Sequence, residues 1–200
     1  MCQLMTCSKA TGRLSCNGYR WLMPRKPFTG QPWSVDKLEF LENYMPAFAK
    51  ACKQVLDKGF DIHYVDGFAG SGINVINGAE RAGSALLALA ENFTKYHFVE
   101  EGSSNFAALT TRVNSHPKKE AVQTLLKADF NLAIDEILAK INRRSPTFFF
   151  IDPTGLHINW ETMQKIGARE KADLFILVSA STVARNAKQA PDTITRFFGT

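Results

Sequence analysis

The chain has 200 residues, 45% hydrophobic and 22% charged, a balance that excludes a disordered or collagen-like chain and fits one soluble globular domain with a small appendage. No apolar run approaches the ~18 residues of a membrane span, so no membrane association is expected. The net charge of +5 sits in one place: residues 1–35 hold Lys9, Arg13, Arg20, Arg25 and Lys26 and no acid, whereas from Asp36 onward 19 basic residues face 19 acidic ones.

Residues 1–32 therefore read as a basic, mobile arm suited to touching nucleic acid. The arm has no uninterrupted apolar segment of a secretory signal. Its Arg and Ser content suggests an organellar transit peptide, but Gly12, Gly18 and Pro24 make a poor amphipathic helix. Cys2, Cys7, Cys16 and Cys52 form no CxxC pair, which argues against a zinc knuckle and for free thiols in a reducing cytoplasm.

The domain proper is expected over 33–200. Ser34 is a candidate cap for a leading helix at about 36–57, with Leu38, Leu41, Tyr44 or Met45, Phe48, Cys52 and Val55 at helical spacing and Gly59 as its stop. A regular alternation follows. Asp61–Asp66 reads as a strand, 68–80 as a glycine-rich loop, and Ala82–Phe93 as a helix. Tyr96–Glu100 is a second strand and Ser103–Asn114 a second helix. Ala121–Lys127 is a third strand and Asn131–Ile141 a third helix. Thr147–Ile151 is a fourth strand, Trp160–Arg169 a short helix, Leu174–Val178 a fifth strand, and Ser181–Phe198 a closing helix. Five short apolar strands separated by helices predict an α/β domain, a doubly wound, mostly parallel sheet covered on both faces.

In such a sheet ligands bind beyond the carboxyl ends of the strands. The first strand ends in Asp66-Gly67-Phe68-Ala69-Gly70-Ser71-Gly72, where two close glycines bare backbone N–H groups. The second ends in Glu100, whose carboxylate suits ribose hydroxyls. The third leads to Asp129, which suits an exocyclic amine. The fourth ends in Asp152-Pro153-Thr154-Gly155. Any one of these acids is accounted for by helix capping; four in succession, behind a glycine loop, are not. The loop is neither the dinucleotide fingerprint, lacking its third glycine, nor a P-loop, lacking Gly-Lys-Ser/Thr. The missing glycine also argues against a nicotinamide oxidoreductase.

These ordered motifs resemble those of class I S-adenosylmethionine-dependent methyltransferases, and most of all the bacterial three-Cys-motif partner (TcmP) family. The resemblance rests on Trp33-x-x-x-Lys37-Leu38, Tyr44, the run Tyr64 to Gly72, Gly83-Ser84-Ala85, Asp129-x-Asn131, and Phe150-Ile151-Asp152-Pro153 with Gly155-Leu156, over roughly residues 32–180. It implies a Rossmann-like methyltransferase fold, S-adenosylmethionine as cofactor, nucleic acid as substrate, a three-Cys-motif protein as possible partner, and a mobile-element or defence setting. It places the loop Asp66, Gly67, Phe68, Gly70 and Gly72 on the methionine end, Glu100 on the ribose, Asp129 on the adenine edge, and Asp152 with the Pro153 carbonyl on the methyl acceptor. No metal is implied.

Two departures stand out. Amino-methyltransferases of this type carry a second proline and an aromatic after Asp-Pro, where this chain has Thr154 and Gly155; His157 or Trp160 is the remaining candidate for a base-stacking face, with Trp160 read as helix packing. Only some twenty residues follow Val178, so the sheet is expected to stop at five strands, either because the chain is a fragment or because a partner closes the edge. A non-catalytic module binding S-adenosylmethionine or a nucleotide is the alternative reading.

Overall fold

A computed structural model describes residues 33–199 together with the short strand β1 (Phe28–Thr29). The remainder of the expected arm, with Cys2, Cys7 and Cys16, lies outside the described residues.

The leading helix α1 (Trp33–Cys52) starts earlier than its sequence suggests, so Ser34 falls within it rather than before it. A 3₁₀ segment (Lys53–Lys58) tightens its end, and Gly59 at φ 75° closes it. Leu38, Leu41, Met45, Phe48 and Ala49 form its buried stripe.

The central sheet contains β2 (His63–Asp66), β5 (Lys95–Val99), β6 (Val122–Leu126), β7 (Thr147–Ile151) and β8 (Ala172–Ile176). Their order across the sheet is β6-β5-β2-β7-β8, every neighbouring pair parallel. The chain winds outward from β2 to β5 and β6, then crosses back to β7 and β8. This is the doubly wound α/β fold expected, and the order reverses at β2. Strand alternation sends Tyr64, Phe98, Phe148 and Phe150 to the face covered by α1, α2 (Ser84–Ala90) and α3 (Ser103–Asn114). Val65, Val99, Phe149 and Ile151 face α4 (Phe130–Lys140) and α5 (Trp160–Gly167). All five residues of β7 are buried, Thr147 and the apolar run from Phe148 to Ile151.

Two expectations are corrected. The stretch 68–80 is not all loop: β3 (Ile73–Ile76) and β4 (Ala79–Ala82) form an antiparallel hairpin, and β1 adds to β3 in parallel. Asn77 and Gly78 make its two-residue turn with φ of 51° and 76°. Asn-Gly is the pair that such a turn selects, because both positions need positive φ. The C-terminal stretch is two helices, α6 (Ala180–Gln189) and α7 (Pro191–Phe198). Ala190, preceding a proline, is forced out of the helical region (φ −149°), and Pro191 begins the new helix.

No other described strand pairs with the outer edge of β8. Phe40 of α1 stacks on Phe175 of that strand with centroids 4.2 Å apart, and Leu174 remains 39% exposed. Among the described residues no helix is long and apolar enough to cross a membrane.

Candidate functional site

Parallel pairing brings the carboxyl ends of β2, β5, β6 and β7 to one edge of the sheet, so Asp66, the last residue of β2, and Glu100, Asp129 and Asp152 beyond the other three lie along the same edge. Their environments differ.

Asp66 is fully buried. Its Oδ1 accepts the Phe68 N–H at 3.1 Å and its Oδ2 accepts the Tyr64 hydroxyl at 3.3 Å. Burial pushes its pKa up to about 7; hydrogen bonds from Ser84 and Phe68 and the Lys37 charge pull the other way, while Asp152 adds to the rise. Asp66 thus shapes the start of the glycine loop from beneath.

Above it, Gly67 donates its N–H to the Phe150 carbonyl at 3.2 Å and Ala69 to that of Val99 at 2.9 Å, which stitches the loop across three strands. Gly70 has φ 61° and Gly72 φ 83°. A Cβ on Gly70 would meet nothing within 4 Å, so the backbone there faces open space. Glu100 closes the loop from the neighbouring strand. Its Oε2 accepts the Gly70 N–H at 2.9 Å, and its Oε1 accepts the Gly102 N–H at 2.8 Å and Asn105 Nδ2 at 3.3 Å. The glycine loop and the second acid are therefore one unit.

Asp129 caps α4: Oδ1 accepts the backbone N–H of Asn131 at 2.8 Å and its Nδ2 at 2.9 Å. Capping accounts for one oxygen; Oδ2 accepts no hydrogen bond from the described residues. Asp129, Gly67 and Phe68 line a cleft with Ala128, Phe130, Glu101 and His157. Glu101 is a lining residue that sequence reasoning did not single out.

Gly67 lies flat against the Phe130 ring, with room for no side chain: a Cβ would sit 2.8 Å from Cγ. Gly67→Ala should cost about 1–3 kcal/mol by forcing Phe130 or the loop to shift. Thermal unfolding checks this; an unchanged Tm would mean the ring gives way freely.

Asp152, half-buried, forms an ion pair with Lys37 Nζ, whose side chain is 14% exposed. Lys37 comes from α1, so the leading helix seals this end of the rim. The Pro153 carbonyl accepts the Gly155 N–H at 2.7 Å in a tight three-residue turn. Trp160 packs against Gly199 at the end of α7, and its exposure is 40%. Among the described residues no group of three or more His, Cys, Asp or Glu side chains is arranged to hold a metal.

No protein-family model matches the chain, and no curated protein matches it. Among solved structures, the chain is similar to protein LPL1258 of Legionella pneumophila, of the DUF519 family: 10% identity, 76% of this chain and 73% of that one, TM-score 0.51. A second similar structure is YhhF of Escherichia coli, which bears the name of a methyltransferase: 16% identity, 78% of this chain and 80% of that one, TM-score 0.47. At such identity, the likeness to LPL1258 is one of fold: the chain shares its α/β architecture.

Proposed function

We propose that this chain is an S-adenosylmethionine-dependent methyltransferase acting on nucleic acid, of the three-Cys-motif partner type. The observation that carries the reading is the Gly70–Glu100 contact, which joins the glycine loop to the second-strand acid. The chemistry of the donor set fits the cofactor. Glu100, which accepts from Gly70, Gly102 and Asn105, keeps one lone pair, on Oε2, for a ribose hydroxyl, Asp129 keeps one oxygen for an adenine amine, and Phe68 offers an aromatic wall. The open face of Gly70 leaves space for a chain close to the backbone. An acidic rim suits a cationic ligand. When bound, the cofactor supplies an activated methyl group on a positively charged sulfur.

The protein's own part is then mostly alignment. Asp152 and the Pro153 carbonyl would accept the hydrogens of an acceptor amine and aim its lone pair. The same acidic rim repels phosphate, so the basic residues of 1–32 would draw the nucleic acid in.

One observation favours the second reading, a non-catalytic cofactor-binding partner protein: Asp152 and the Pro153 carbonyl each already hold an intramolecular donor. Titration calorimetry with S-adenosylmethionine and NAD, followed by radiolabelled methyl transfer to DNA, RNA and protein, decides among the readings. S-adenosylmethionine binding with transfer to nucleic acid supports the enzyme, binding without transfer supports the partner protein, and tight NAD binding refutes the methyltransferase reading. Glu100→Ala should weaken S-adenosylmethionine binding by about 1.5–3 kcal/mol, because it removes a charge-assisted acceptor and frees the Gly70 loop. An unchanged dissociation constant removes Glu100 from the site.

A further inference from the structure

Asn131 is the second residue of α4, and every hydrogen-bonding position of its side-chain amide is filled. Nδ2 donates to Asp129 Oδ1 at 2.9 Å and to the His157 carbonyl at 2.7 Å. Oδ1 accepts the Asn159 N–H at 2.8 Å and the Thr162 hydroxyl at 2.8 Å. One amide thus joins three pieces of chain: the cap of α4, the segment that leaves β7 through Asp152, and the first turn of α5. Asp129 and His157, the two partners of Nδ2, both line the cleft. The segment between Asp152 and Asn159 has no regular secondary structure, and its Thr154 and His157 are exposed. Leu156 and Ile158 anchor it in the core beneath.

We infer that Asn131 is a positioning residue that clamps the 153–159 segment over the cofactor cleft, so that the adenosine-binding and acceptor-binding sides hold a fixed spacing. The functional half of this inference rests on the methyltransferase reading; the clamp itself does not. The two ends of the amide do different work. The oxygen fastens α5, which is a matter of packing. The nitrogen fastens Asp129 and His157, which is a matter of cleft shape. An aspartate at this position would keep both acceptors and lose both donors, and it would set a second carboxylate against Asp129 Oδ1. A valine in place of Thr162 would remove one contact on the oxygen side only.

The experiment uses the full chain and compares Asn131→Asp, Asn131→Ser and Thr162→Val with wild type. Asn131→Ser loses the reach to His157 without adding charge, and it stands in if Asn131→Asp fails to fold. Hydrogen exchange is followed over 153–159 without ligand, and S-adenosylmethionine affinity is measured by calorimetry. The expected result is at least tenfold faster exchange of the segment in both Asn131 variants, with strand protection kept. Cofactor affinity should fall at least tenfold in those variants and less than threefold in Thr162→Val. Unchanged exchange in the folded variants would overturn the clamp. Equal loss of affinity in the Thr162 and Asn131 variants would reduce Asn131 to a packing role. If wild type itself fails to bind S-adenosylmethionine, the proposed function fails while the exchange data still decide the clamp.

Discussion

Asp152→Ala should lower methyl transfer at least a hundredfold while changing S-adenosylmethionine affinity less than threefold. An exocyclic amine is a poor nucleophile because its lone pair is delocalised into the ring. A fixed carboxylate accepting one of its hydrogens acts where charge develops, and removing one such preorganised partner typically costs ~10²–10³ in rate. Asp152 follows β7 in the sheet order, two strands from β5, whose end carries Glu100, so the effect on the ribose side should be small. Asp152→Asn should fall nearly as far. It keeps one neutral acceptor oxygen, but Lys37 Nζ already donates to this side chain and would claim it first. Transfer assays with radiolabelled cofactor, run beside calorimetry, test both variants. Background counts alone in both wild type and Asp152→Ala would assign the protein to the cofactor-binding, non-catalytic class, and equal counts above background would remove Asp152 from the reaction.

How much of this was legible in the sequence follows from how far each interaction reaches along the chain. β7 and α3 have the bounds their residues imply, since Pro146 and Asp152-Pro153 delimit the first and Gly102 and Ser115 the second. The rim acids were legible for the same reason: a parallel strand delivers its next residue to the carboxyl edge wherever the strand lies. The hairpin was hidden because Gly70, Gly72 and Gly78 together suggest loop and mask the Asn77-Gly78 turn. Pro191 carries the local signal for the break between α6 and α7, since a proline excludes the residue before it from the helical region, but the reading of Ser181–Phe198 as one helix does not use it.

Contacts across the chain were not legible. Lys37 and Asp152 are 115 positions apart, and a lysine on an amphipathic helix reads as a solvated face. Asn131 and Thr162 are 31 apart. The burial of Asp66 was partly readable, since it shares a strand face with Tyr64 two residues before. What the period could not supply was the set of groups around it, which decides whether such a carboxyl reaches a ligand or braces a loop.

The protein should lose stability as pH falls from about 6.5 to about 4, and two buried histidines should be the reason. His63 Nδ1 and His97 Nε2 are 3.0 Å apart, and His97 Nδ1 is 3.0 Å from Thr124 Oγ1, to which Lys140 Nζ donates at 3.3 Å. The rings occupy one face of β2 and β5, and neither is more than 3% exposed. Burial lowers the pKa of His63 to about 4, with Asp61 opposing and Arg169 and Lys95 assisting. Burial also lowers that of His97 to about 3, with the His63 and Lys140 charges adding to it. Between the unfolded value near 6.5 and these folded values the unfolded chain binds protons that the native state refuses. Stability is therefore complete above about 6.5 and drains as pH falls, by up to ~1.4 kcal/mol per pH unit for each histidine. Asp66 works in the opposite sense. Its folded pKa of about 7 lies above the unfolded one, so its native state holds the extra proton and its contribution fades as pH rises through the same range. Two histidines outweigh one carboxyl, and the net slope should remain positive. Denaturant unfolding at a series of pH values should thus show a steeper rise in Asp66→Asn than in wild type. In His63→Leu/His97→Leu the rise should vanish or reverse, since removing both partners of a buried pair leaves no orphaned ring nitrogen facing another. A double variant that keeps the wild-type slope would mean that other groups set the acid limit of this fold.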